Sequence, residues 1–132
     1  MFYHKSLGTT LAVLIPARVG IRLASKIPAA VPGHAVEQMA ANASHLALYA
    51  MMITLPATGV AMGYFGGKGL PFWFTTIPGA QGDAKRGDIA KNAFKVHKQV
   101  GYVFKFFVPF HAGAAFFHAA RGQKIFSRIN PF

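Results

Sequence analysis

The sequence predicts an all-α transmembrane helical bundle, with three spanning helices plus a short interfacial helix, formed by residues 1–132 as one domain. Hydrophobic residues occupy 53% of the 132 positions, and three apolar stretches have about the twenty residues needed to cross a bilayer. Fourteen Lys and Arg stand against three acids, a net charge of +11. The cations mostly flank the apolar stretches, which favours an anionic neighbour such as lipid headgroups.

The first predicted span covers residues 3–24. Arg18 and Arg22 lie toward its end and need the membrane surface or an anion, since a charge facing lipid at the bilayer centre costs roughly 2.5–3.5 kcal/mol. An acid-free mitochondrial presequence is an alternative interpretation of residues 1–30. His4 and Gly8, one helical turn apart, favour a mature helix instead.

A Pro-rich turn and a short interfacial helix are predicted over residues 27–43, where His34 is expected to be interfacial or solvated. The second span follows at residues 44–64. It contains Pro56, which is tolerated because neighbouring helices can satisfy the freed carbonyl.

A connection of about thirty residues leads to the third span, longer than a helical hairpin needs. Its aromatic run at residues 72–74, beside Lys68, is typical of an interfacial anchor. The third span covers residues 92–121. It carries Lys105 and Pro109, both tolerated inside a bundle.

Histidines in the spans form two candidate pairs. His97 and His111 are fourteen residues apart, on nearly one helical face and separated by roughly 21 Å of depth. If the three helices alternate in direction, His4 lies level with His97 and His45 lies level with His111. Two neutral imidazoles from different helices can bind haem iron from both sides. The pattern therefore predicts a membrane cytochrome b.

Other chemistries fit the residues less well. Zinc prefers four ligands at one point, whereas these histidines are scattered over about 20 Å of depth. The absence of Cys excludes iron–sulfur ligation and c-type haem attachment. Nucleic acid is disfavoured, because the cations do not line one face with aromatics between them. No nucleophile, acid–base pair or phosphate loop is evident, so an electron carrier is expected rather than a self-contained enzyme.

Four segments of the sequence carry a family resemblance. They are YHKSLGTTLAVLIPARVGIRL, HLALYAMMITLPATGVAMGYFGG, GLPFWF, and HKQVGYVFKFFVPFHAGAAFFHAARG followed by SRINPF. These segments resemble the bacterial-type cytochrome b561 and nickel-hydrogenase cytochrome b family. The resemblance implies a four-helix, di-haem, quinone-linked electron carrier, in which the three spans correspond to helices two to four and the first helix has no counterpart here.

The resemblance also implies how haem b is held. His4 and His97 correspond to the two axial ligands of one haem. In the family, the second haem pairs a histidine of the first helix with the counterpart of His111. We therefore expect one haem b, and a second at His111 needs His45 or a partner subunit as the opposite ligand.

Small and basic residues accompany the first candidate pair. Gly8 and Gly101 each follow a ligand by one turn, which gives a planar macrocycle clearance. Lys5 and Lys98 are next to the ligands in sequence and are candidate partners for the haem propionates.

The expected function is electron transfer by a haem b-binding subunit of a respiratory membrane complex. Expected partners are anionic lipid, which includes cardiolipin, other subunits covering the His111 face, and quinone at an interface. Two alternatives are a structural, haem-poor accessory subunit with this fold that binds anionic lipid, and a peripheral basic protein with amphipathic helices. The acid-poor composition favours the mitochondrial inner membrane, with the bacterial plasma membrane as the alternative.

Overall fold

The computed structural model describes residues 1–26 and 33–126 and contains three long helices. Helix α1 covers Phe2–Ala24, α2 covers Ala35–Phe65 and α3 covers Gly87–Ala120. Each helix is long and apolar enough to cross a membrane. The predicted class, an all-α bundle of spanning helices, is confirmed.

The largest difference in helix bounds is at α2. The short helix expected before the second span is not separate, since one helix of 31 residues begins at Ala35. The segment AVEQMAANA, residues 35–43, consists mainly of residues with good helix propensity and contains no Pro or Gly. The Pro-rich turn expected at residues 27–32 and the final SRINPF lie outside the described residues.

Helices α2 and α3 pack against each other in antiparallel orientation. Residue numbers fall along α2 as they rise along α3 in the neighbouring pairs Gly59 with His97, Leu55 with Gly101, His45 with His111, and Glu37 with Arg121. This orientation was the premise on which both histidine pairs were predicted.

Helix α1 packs on α2 but makes few contacts with α3. It lies instead against a β-hairpin in the connection after α2, which the sequence analysis did not predict. Strands β1 (Leu70–Phe72) and β2 (Thr75–Ile77) pair antiparallel. At the turn, the Trp73 indole Nε1 donates a hydrogen bond to Thr10 Oγ1 of α1 at 3.0 Å. This hydrogen bond attaches the hairpin to α1.

The hairpin has unusual backbone at both ends. Trp73 has a φ of 52°, in a region that bulky side chains rarely adopt. Gly69 has a φ of 73°, and a Cβ there would lie 2.8 Å from the Ile77 carbonyl oxygen, so this position requires glycine. Phe74 at the tip is fully exposed. The interfacial anchor expected here stays a prediction, and the exposed Phe74 is consistent with it.

The described residues bury few side chains. The buried hydrophobic residues among them are Ile15, Ala80 and Ala93, and the buried polar ones are Ser6 and Thr9. Large apolar side chains are exposed along all three helices, among them Leu14, Leu46 and Phe110. Helices that are apolar on their outer faces are typical of a bundle surrounded by lipid.

Candidate functional site

The near pair, His4 of α1 and His97 of α3, comes together at one end of the bundle. The ring centroids are 6.0 Å apart and the ring planes meet at 88°. One metal bound to opposite imidazole nitrogens at about 2 Å each, with about 1 Å from each nitrogen to its ring centre, needs a centroid separation of about 6 Å. The spacing therefore fits two imidazoles sharing one metal.

The His97 ring is oriented by α2. Its Nδ1 lies 3.0 Å from the Leu55 carbonyl oxygen and 2.9 Å from Thr58 Oγ1. A carbonyl oxygen can only accept, so Nδ1 carries the proton and Nε2 keeps its lone pair. Metal-ligating histidines usually donate their other ring N–H in this way. Of the two ring nitrogens, Nε2 is therefore the available ligand.

Thr58 is a second acceptor for the same ring proton. Its hydroxyl donates to the Thr54 carbonyl oxygen at 2.7 Å, so a lone pair of Oγ1 can face His97. The next residue, Gly59, packs beside the ring, and a Cβ there would lie 3.6 Å from His97 Cε1, at an ordinary van der Waals distance. Leu55 and Thr58 were not among the predicted site residues, because no sequence signal identifies a backbone carbonyl or a hydroxyl as the partner of a distant histidine.

Both predicted glycines lie one helical turn after a histidine of the near pair in the sequence. A Cβ on Gly8 would meet no atom within 4 Å, and one on Gly101 would meet Leu55 Cδ2 at 3.7 Å. Since α1 and α3 contact each other little, we infer clearance between them for a planar group. The two-imidazole donor set and this clearance fit haem b.

Lys5 and Lys98 are both exposed, each next in sequence to a histidine of the near pair. Lys98 lies with Lys95 and Lys105 along an open groove on α3. In the described part of the chain, neither Lys5 nor Lys98 forms an ion pair with a carboxylate. Their role as propionate partners stays a prediction.

The far pair, His45 of α2 and His111 of α3, lies toward the opposite end. Its ring centroids are 5.2 Å apart with the planes at 71°, closer than the separation of about 6 Å that a shared metal needs. The two helices that carry it pack directly against each other. His111 also stacks on Phe107, with centroids 6.5 Å apart and planes at 9°. Both predicted pairs are thus assembled, and they differ in that the helices of the far pair pack directly whereas those of the near pair contact each other little.

The other described residues do not form a second candidate metal site of clustered ligands. Within residues 1–26 and 33–126, no three His, Asp or Glu side chains cluster in a way that could hold one. His34 is exposed at the start of α2, and His118 is half-buried in the last turn of α3. Haem iron that is bound from both sides takes two protein ligands, which equals the number of histidines in the near pair.

Comparison with known proteins is consistent with this geometry. Residues 1–131 match the family described as prokaryotic cytochrome b561. Over 117 residues, 87% of this chain, the sequence is 32% identical to cytochrome b561 homolog 1 of Escherichia coli (strain K12). The chain spans 65% of that relative's length, just under two thirds. With three helices able to span a bilayer, this multi-pass membrane protein belongs to the prokaryotic cytochrome b561 family.

Proposed function

We propose that this chain holds one haem b between His4 and His97 and transfers electrons within the membrane. The observation that carries the proposal is the orientation of His97. Its Nδ1 is bound to the Leu55 carbonyl, which leaves Nε2 free, and the ring lies 6.0 Å from that of His4. Membership of the family supports haem b as the group bound there.

The chain's own residues would set how electron transfer proceeds. A bound haem b would supply reversible one-electron chemistry. His4 and His97 would hold the group from both sides, an arrangement suited to electron transfer and not to oxygen binding. Leu55 and Thr58 hold the His97 ring in one tautomer and one orientation. These contacts would fix the strength of the axial ligand and therefore the reduction potential.

A second candidate function is a structural, haem-poor accessory subunit of a respiratory complex. The close packing of the far pair, at 5.2 Å between centroids, favours it, because one of the two histidine pairs already serves helix packing. In both candidates we propose that further subunits cover exposed apolar surface of the bundle. Such surface includes Phe110 and Phe116 of α3.

We propose the bacterial plasma membrane as the location. The family is described as prokaryotic and the curated relative is from Escherichia coli. The mitochondrial inner membrane, favoured above from the acid-poor composition, has no support in these comparisons. Bacterial plasma membrane was the alternative in the sequence analysis.

Absorbance of the purified chain tests the proposal. We expect a Soret band and a pyridine haemochrome of the b type, both retained when the exposed His34 is changed to Ala. Material that folds as a helical membrane protein but shows neither signal would reject the cytochrome and leave the accessory subunit.

A further inference from the structure

A row of basic residues follows one face of α3 beside the His97 face. The row consists of four lysines and one tyrosine, namely Lys91, Lys95, Lys98, Tyr102 and Lys105. Their spacing alternates between four and three residues, which keeps them on one side of a helix. Four of them, together with Gln99, Gly101 and Val103, line an open groove of about 750 Å³.

The groove runs from the end of the bundle toward its middle. Lys98 adjoins His97, which is level with the start of α1. Lys105 is eight residues beyond His97, about 12 Å further along the helix. A cation at that depth in a bilayer is costly unless it is paired or reaches the surface.

Lys105 rests against aromatic rings instead of a carboxylate. Its Nζ lies 4.7 Å from the ring centre of Phe106 and 5.4 Å from that of Tyr102. Cation–π contacts of this kind stabilise an ammonium partly, and they leave its N–H groups without an anionic acceptor.

The acids of this chain lie elsewhere. There are three in the sequence. Glu37 pairs with Arg121 at 3.6 Å and Asp88 pairs with Arg86 at 3.3 Å, while Asp83 is in a short 3-10 turn of the connection. In the described residues, therefore, none of the ion pairs involves a lysine of the groove. Within the described residues, no carboxylate is paired with these lysines.

We propose that the groove binds one anionic phospholipid, with phosphatidylglycerol as its simplest form. Lys95 and Lys98 would contact the phosphate. Lys105, which lies closer to the middle of the bundle, would extend its side chain toward the same phosphate. The acyl chain would lie along Tyr102, Val103 and the exposed Phe106. The combination of clustered ammonium groups with a mainly apolar lining fits an amphiphile better than a soluble anion. In this proposal Lys98, which was predicted above to contact a haem propionate, contacts the lipid phosphate instead.

Native mass spectrometry of the delipidated protein tests the site. The probes are phosphatidylglycerol and phosphatidylcholine with the same acyl chains. We expect the wild type to prefer phosphatidylglycerol, and the double variant Lys98→Gln with Lys105→Gln to lose roughly thirtyfold of that preference, since each cation contributes roughly fivefold. Lys98→Arg with Lys105→Arg should retain the preference.

The matched control is Lys68→Gln with Lys85→Gln, which removes the same charge from the exposed connection. We expect this variant to keep the preference for phosphatidylglycerol. An equal loss in the control would mean that net charge attracts the lipid, and the groove would be rejected. Displacement by millimolar inorganic phosphate would also overturn the proposal. A lost Soret band with lipid preference intact would assign these lysines to the haem.

Discussion

The two histidine pairs have the same composition and different surroundings. The near pair joins α1 and α3, which otherwise contact each other little, whereas the far pair joins α2 and α3, which pack directly. Ring centroids are 6.0 Å apart in the near pair and 5.2 Å in the far pair. We therefore propose that a macrocycle enters between α1 and α3 and not between α2 and α3.

Ring orientation separates the pairs as well. His97 is held through Nδ1 by two acceptors on α2. In the described structure, His111 has aromatic neighbours, His45 and Phe107, but no hydrogen bond comparable to that of His97. An imidazole with one nitrogen committed and the other free is pre-organised as a ligand. A stacked imidazole contributes mainly to packing.

The largest effect on haem content is expected when a single histidine is replaced, first in one pair and then, in a separate variant, in the other. His97→Ala should abolish haem binding, because one axial ligand and its hydrogen bonds to α2 are lost together. His111→Ala should leave haem content near the wild-type value and cost mainly packing at the α2–α3 interface. Pyridine haemochrome assays of the two purified variants measure this. Equal losses of haem in the two variants would contradict the assignment of haem to the near pair alone.

Filling the clearance beside His4 should have the next largest effect. Gly8→Leu places a side chain where a Cβ meets no atom within 4 Å, so the apoprotein should fold while haem occupancy falls severalfold. Gly20→Leu is the matched control, because its Cβ also meets nothing within 4 Å but it lies on a different face of α1. Full haem occupancy in Gly8→Leu would show that the macrocycle does not use this space.

Removing the second acceptor of the His97 proton should shift the reduction potential. Thr58→Val should raise it by roughly tens of millivolts, since a hydrogen bond worth about 1 kcal/mol strengthens the imidazole as a donor to ferric iron. Thr54→Val, one turn earlier, is the control, and Thr58→Ser should restore the potential. In the apoprotein, ¹⁵N NMR of the ring should show less of the Nδ1-protonated tautomer in Thr58→Val. If Thr58→Val and Thr54→Val have the same reduction potential and the same tautomer population, Thr58 does not act as an acceptor for the His97 proton.

The smallest effect concerns the hairpin that abuts α1. Trp73→Phe removes the N–H donor to Thr10 and should lower the free energy of unfolding by about 1 kcal/mol. Thr10→Val should cost a similar amount, and the double variant should cost little more than either. Denaturant titrations in detergent measure the cycle. Fully additive losses would mean that this hydrogen bond does not hold α1.

Periodicity and length predicted most of the fold, because apolar stretches that cross a bilayer have few other structures available. Pro32 and Gly33 were predicted to mark a helix entry, in agreement with the start of α2 at Ala35. The predicted boundary between a short helix and a span from residue 44 was wrong, because residues 35–43 continue into the span as one helix. The hairpin was missed because its turn uses Trp73 with positive φ, where sequence rules expect Gly or Asn.

Residue spacing along the helices was sufficient to predict which histidines lie at the same depth. Fourteen residues between two histidines and an alternating topology were enough to propose His4 with His97 and His45 with His111. Which pair has room depends on interhelical distance, and the partners of His97 are a backbone oxygen and a hydroxyl from α2. Residue spacing predicts neither the interhelical distance nor the partners of His97, because both depend on how the helices pack.

An experimental structure of the purified, haem-loaded protein tests the central claim most directly. We expect porphyrin density between α1 and α3, with the iron bound by the Nε2 atoms of His4 and His97 and the Nδ1 of His97 still on the Leu55 carbonyl. Porphyrin density between His45 and His111, with the near pair separated by side chains or lipid, would contradict the account.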